Sequence, residues 1–129
     1  MTAESAEELT GPAQSGDAEA QFKLAQVLNY GLGTAIDEDA AINWYQRSAD
    51  QHFERAQFTL GEICREGRIT PQDLVQAHVW YSLVARAGGD LSAAGIEGRS
   101  EIEPYMTAEQ ITSARQQAET WTPGSLSTA

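Results

Sequence analysis

The sequence predicts an all-α protein, a short right-handed α-solenoid of antiparallel helix pairs closed by a C-terminal capping helix pair. Three observations carry that expectation. The segment Ala41-Ile42-Asn43-Trp44-Tyr45 returns 36 residues later as Ala77-His78-Val79-Trp80-Tyr81. The same offset, without a gap, carries Ala20, Gln21, Phe22, Leu24, Gly31, Thr34, Asp37 and Ala49 onto Ala56, Gln57, Phe58, Leu60, Gly67, Thr70, Asp73 and Ala85. Within each copy the apolar residues recur at helical spacing and halt at glycine. Self-similarity at a period of roughly 20 to 50 residues marks an architecture in which each unit buries its apolar face against the next.

Residues 1–15 read as a flexible acidic segment with the remnant of a preceding repeat. Glu4, Glu7 and Glu8 surround Leu9, the one large apolar side chain between Thr2 and Thr10, so Met1 to Thr10 is expected to fray. Ala13 lies one period before Ala49 and marks the tail of an earlier unit. Residues 16–51 form the first repeat. Its first helix, from Asp17 to about Tyr30, gathers Ala20, Leu24, Ala25 and Leu28 on one face and stops at Gly31. Thr34 with Asp37 resembles a capping box, and the Asp37-Glu38-Asp39 run suits a positive helix start. The second helix, about Asp37 to Asp50, places Ala41, Trp44, Tyr45, Ser48 and Ala49 along a full inward stripe.

Residues 52–89 repeat the design. Phe53, Ala56, Leu60, Gly61, Ile63 and Cys64 face inward from a helix ending near Gly67, and Thr70-Pro71 predicts a capped start for a helix bearing Ala77, Trp80, Tyr81, Val84 and Ala85. Trp44 and Trp80 are both expected in the core. After Gly89 the period fades. Residues 90–122 supply the capping helices: one from about Asp90 to Glu103, broken by Pro104, and one opened by the Thr107-Ala108-Glu109-Gln110 capping box with Ile111, Ala114, Ala118 and Trp121 inward. Residues 123–129 read as a flexible tail.

Composition narrows the partners. Eight Lys plus Arg against nineteen Asp plus Glu give a net charge of −11, a field that repels phosphate backbones and anionic lipid. Nucleic acid is therefore not an expected partner; the acid excess either favours a basic protein or peptide or serves only to solvate the surface. The one cysteine, Cys64, has no second thiol in the chain for a disulfide and is expected to pack as a small hydrophobe. No run approaches the roughly 20 apolar residues of a membrane span, and the first fifteen residues lack the basic and apolar regions of a signal peptide. The expectation is a cytoplasmic protein.

The residues Ala18-Glu19-Ala20-Gln21-Phe22-Lys23-Leu24-Ala25, Gly31-Leu32-Gly33, Asp37, Ala40-Ala41-Ile42-Asn43-Trp44-Tyr45 and Ala49, with their second copy, resemble the Sel1-like repeat family, a relative of the tetratricopeptide fold. The likeness runs from about Gly16 to Trp121. Departures fall at Leu28 and Cys64, where the family carries tyrosine, at Ala25, where it carries glycine, and at Ile69, in place of a loop glycine. The resemblance implies an adaptor that holds other proteins on the curved surface of the stack. Cysteine-rich members associated with β-lactams rely on disulfides, which a single Cys64 does not supply.

Catalytic chemistry finds little footing. His52 and His78 are separated and read as structural, no nucleophile elbow, P-loop or dinucleotide fingerprint is present, and one Cys with two distant His does not make a zinc set. Asp37 and Asp39 lack the glycine and distal glutamate of a calcium loop. No enzyme activity, cofactor or metal is expected. Partner-binding positions are sought instead where the first helix of each unit breaks the repeat: Lys23, Val27 and Tyr30 become Thr59, Ile63 and Glu66. The alternatives are a structural spacer within a larger repeat protein, or a small-molecule-binding or hydrolytic protein of another kind.

Overall fold

The computed structural model describes residues 4–126; what the sequence suggests for 1–3 and 127–129 lies outside the described residues. The helices are α1 (Ala6–Gln14), α2 (Ala18–Tyr30), α3 (Glu38–Asp50), α4 (Glu54–Glu66), α5 (Leu74–Ala87), α6 (Ser92–Ile102) and α7 (Ala108–Glu119), with a 3-10 turn at Glu103–Tyr105 between the last two. No strand occurs among the described residues. Successive helices from α1 to α6 pack pairwise, and the chain folds as an all-α solenoid.

Local chemistry sets each boundary. Asp17, Asp37 and Asp73 each turn a carboxylate onto the backbone N–H three residues ahead, at Ala20, Ala40 and Gln76, satisfying a donor that the helix leaves orphaned. Gly31 and Gly67 end α2 and α4 in the left-handed region, at φ 67° and 71°, which glycine enters without a Cβ clash. Thr107 and Gln110 exchange both bonds of a capping box at the start of α7. At two of these starts the structure differs from the sequence reading. Thr34 and Thr70 do not cap, and Pro71 lies in the turn, because the nearer Asp37 and Asp73 take the cap and the helices begin after them.

The buried residues form a main cluster and a smaller one. Leu60, Trp80, Tyr81 and Tyr45 lie in the first; Leu9, Ala13, Leu24 and Val27 make the second, and Leu28 with Trp44 packs against both. The two units are stitched by the same bond. The Gln21 amide donates to the Ala13 carbonyl at 3.0 Å, and one period later Gln57 donates to Ala49 at 3.2 Å. Buried amides paired in this way fix one unit against the next, since an unpaired carbonyl there would lose its solvation for nothing.

Both ends depart from the sequence expectation. The frayed N-terminal segment is a helix from Ala6, opened by Ser5, whose hydroxyl accepts from Glu8 N–H at 3.1 Å. Leu9 and Ala13, one helical turn apart, are buried against α2, and that burial carries the helix through Gly11 and Pro12. At the other end Thr122 and Ser125 close a turn that returns Leu126 to the main cluster, 7% exposed, so the tail is anchored at least that far. The closing helices are not a hairpin of their own: α6 and α7 both seat on α5.

The repeat tryptophans also differ. Trp80 is fully buried, with the Trp121 ring edge-on at 6.2 Å. Trp44 is half-buried, with the Arg47 guanidinium 4.7 Å from its ring. The physical difference is α7, which covers α5.

Candidate functional site

Helices α2, α4 and α6 end at Tyr30, Glu66 and Ile102, each 36 residues after the last, so these three residues hold equivalent places in successive units. The period that fades in residue type after Gly89 thus persists in the geometry. Arg65 and Glu101, also 36 apart, meet across neighbouring units at 3.5 Å.

The six positions suggested by sequence separate into three groups. Val27 and Ile63, 5% and 6% exposed, belong to the two apolar clusters and are withdrawn as surface contacts: both point into the space between helices, where their bulk fills the core. Lys23 and Thr59 are half-buried. The Lys23 ammonium lies 3.2 Å from Glu4 and 3.7 Å from Glu19, and the bond to Glu4 holds its pKa above the ordinary value. The Thr59 hydroxyl donates to the Arg55 carbonyl at 2.7 Å. Tyr30 and Glu66 are exposed, Tyr30 at 63%, and Leu32 and Ile36 extend its apolar surface around the turn that follows α2.

Glu66 opens onto a cleft of about 480 Å³ between α4 and α6. Leu74 and Ile102 give it apolar lining, Glu62, Arg65 and Glu101 give it charge, and Tyr105, 81% exposed, stands at its side. Its wall is fixed from behind by Tyr81. A Cβ on Gly61 of α4 or on Gly98 of α6 would lie 2.9 Å from the Tyr81 ring, so both helices reach that ring only because they lack a side chain there. The Tyr81 hydroxyl donates to Glu62 through a short hydrogen bond. Burial, followed by the Glu62 carboxylate, pushes the Tyr81 pKa up; the same hydroxyl, more than Glu101, raises that of Arg65. The sequence reading missed this cleft. Gly61 and Glu66 were visible, but Glu101, Ile102 and Tyr105 become their neighbours only if the 36-residue spacing is carried past Gly89.

A second polar group lies behind α6. His78, fully buried, shares a 2.8 Å contact through Nε2 with Glu103, while its Nδ1 is 3.4 Å from the Ser82 hydroxyl, to which Arg99 donates at 3.4 Å. Serine, histidine and glutamate are the ingredients of acyl transfer, but here Ser82 and His78 are buried and their bonds tie α5 to α6 and the 3-10 turn. The arrangement is a clip between elements. Among the described residues no group of three His, Cys, Asp or Glu could hold a metal ion, and no helix is long and apolar enough to cross a membrane.

Known proteins share this fold. A protective antigen present in uropathogenic Escherichia coli strains, c5321, which displays an SLR fold, matches with a TM-score of 0.80 and 32% identity over 88% of this chain. The match covers 24% of that antigen, so the chain spans about a quarter of its length. A Sel1 repeat protein from Oxalobacter formigenes has the same fold, with a TM-score of 0.62 and 24% identity over 89% of this chain and 97% of its own. The Sel1 repeat family model matches residues 18–53 and 54–89. The two matched spans together cover more than half of the chain, and Gln21 and Gln57, Asp37 and Asp73 fall within them in one register; the chain belongs to the Sel1 repeat family.

Proposed function

We propose that the protein is a non-enzymatic interaction module, an adaptor or scaffold, which holds a partner protein or peptide of basic character on the concave face lined by α2, α4 and α6. One observation carries this reading. The units keep their structural hydrogen bonds unchanged, the buried Gln21 and Gln57 each bonding a carbonyl eight residues earlier and Asp37 and Asp73 capping, while the exposed position at the end of the first helix changes from Tyr30 to Glu66. Packing demands constancy and recognition demands difference. An exposed tyrosine with Leu32 and Ile36 beside it supplies apolar contact area of the kind that anchors interfaces. The acid excess of the chain favours encounter with a basic partner and weakens that attraction as salt rises.

Affinity capture from the source cell extract, at low and at high salt, tests the reading. Wild-type protein is expected to retain a discrete basic partner that Tyr30→Ala loses and that Asn43→Ala, on the second helix of the unit, keeps. Equal capture by all three, or turnover of a small molecule without any partner, would overturn it.

A further inference from the structure

The cleft between α4 and α6 is specific in its chemistry. Three carboxylates, Glu62, Glu66 and Glu101, face one cation, Arg65, leaving a net charge of −2 in the lining. Two of the three are engaged: Glu62 accepts from Tyr81, and Glu101 pairs with Arg65 at 3.5 Å. Glu66 has neither an ion pair nor a hydrogen bond among the described residues, and it is exposed. Tyr105, equally without a polar partner, presents its ring to solvent beside Ile102 and Leu74. An unpaired carboxylate, an open aromatic face and an apolar lining together match one side chain better than any other. A guanidinium is planar, stacks on aromatic rings, binds a carboxylate with two parallel N–H donors, and rides on an aliphatic stem that apolar surface can cover. A lysine ammonium gives up the stacking and the fork.

We propose that this cleft receives an arginine side chain from a peptide segment of the partner, with the guanidinium between the Glu66 carboxylate and the Tyr105 ring and the methylenes over Leu74 and Ile102. The proposal rests on the reading of the α2, α4 and α6 surface as the binding face, and names what one part of it recognises. At about 480 Å³ the cleft has room for the residues flanking that arginine, within the usual range of sites that enclose a small ligand.

The test is an NMR titration of the isotopically labelled full chain with three peptides identical except at one position: acetyl-Gly-Leu-Xaa-Leu-Gly-amide with arginine, citrulline or lysine at Xaa. Citrulline keeps the shape of arginine and removes its charge. The arginine peptide should move the backbone resonances of Glu66, Leu74 and Tyr105 and bind about ten times more tightly than the citrulline peptide, with lysine between them. Glu66→Gln and Tyr105→Ala, both on the surface, should each reduce the arginine preference while leaving the remaining resonances in place. Equal binding of arginine and citrulline, arginine and lysine alike, or shifts confined to other surfaces would overturn the proposal. Loss of the captured partner in Tyr30→Ala, together with no arginine preference at the cleft, would remove the arginine assignment alone and leave the binding face standing.

Discussion

Tyr81 joins the buried core to the exposed cleft, and the two glycines that approach it decide whether that joint closes. In an open helix, Gly→Ala adds stability of up to about 1 kcal/mol by restricting the unfolded chain. At Gly61 and Gly98 the added methyl would lie 2.9 Å from a ring fully enclosed between α4 and α6, so overpacking wins. Gly61→Ala and Gly98→Ala are each expected to cost about 1–3 kcal/mol in urea unfolding, and a raised midpoint for either would contradict the packing described. The sequence made Gly61 legible as the small mate of Ala25. It hid Gly98, because no residue-type repeat reaches α6. Val27 and Ile63 were misread for a related reason: a change of residue between units looks the same whether the position faces a partner or an uneven core. Tyr45 and Cys64 supply a second measurement at this scale. Burial pushes each up to about 12 from 10.0 and 9.0, so the native protein holds them neutral beyond the pH at which the unfolded chain ionises. Their contribution is fully present below pH 9 and is lost as pH rises toward 12. Unfolding midpoints should therefore be flat from pH 7 to 9 and fall above it; a stability that rises with alkali would oppose the assignment.

At the scale of elements, the helices owe their limits to a few polar side chains and their arrangement to burial. The repeat made α2, α3 and the ends of α4 and α5 legible to within a residue or two, since the apolar stripes recur and α2, α4 and α5 stop at glycine, whereas α5 starts three residues after the expected Pro71. Which residue caps was less legible. Thr34 and Asp37 both suit an N-terminus by type, and the choice falls to the side chain whose oxygen reaches the free N–H, that of Asp37 on Ala40 at 3.1 Å. Asp37→Ala is expected to lower stability by about 1 kcal/mol while Thr34→Ala changes it little, as read by thermal melting; the reverse order would restore Thr34 as the cap. The chain ends were illegible for a different reason. Local composition argued for disorder in α1 and around Leu126, whereas tertiary burial of Leu9, Ala13 and Leu126 orders both. Helix α5, which carries α4, α6 and α7, is the element on which the C-terminal half depends.

For the whole molecule, the proposed function divides stability and recognition between layers. The stack keeps its glutamine stitches and aromatic contacts between helices, and among the side chains that differ between units Tyr30 and Glu66 stand exposed at the ends of α2 and α4, where packing does not dictate them. The fold and family were readable because a repeat states each structural requirement twice. The proposed recognition surface was only partly readable, because the cleft is assembled from α4, the turn before α5, the start of α5 and the α6 end, segments that no single sequence window contains. Site-specific photo-crosslinking in the source cell puts this division to the test. A benzophenone side chain would be placed in turn at Tyr30, Glu66, Asn43 and Thr112, each exposed, with the first two on the first-helix layer and the others on α3 and α7. One shared partner is expected to crosslink from Tyr30 and Glu66 and not from Asn43 or Thr112. A partner crosslinked from Asn43 and Thr112 alone would contradict this division.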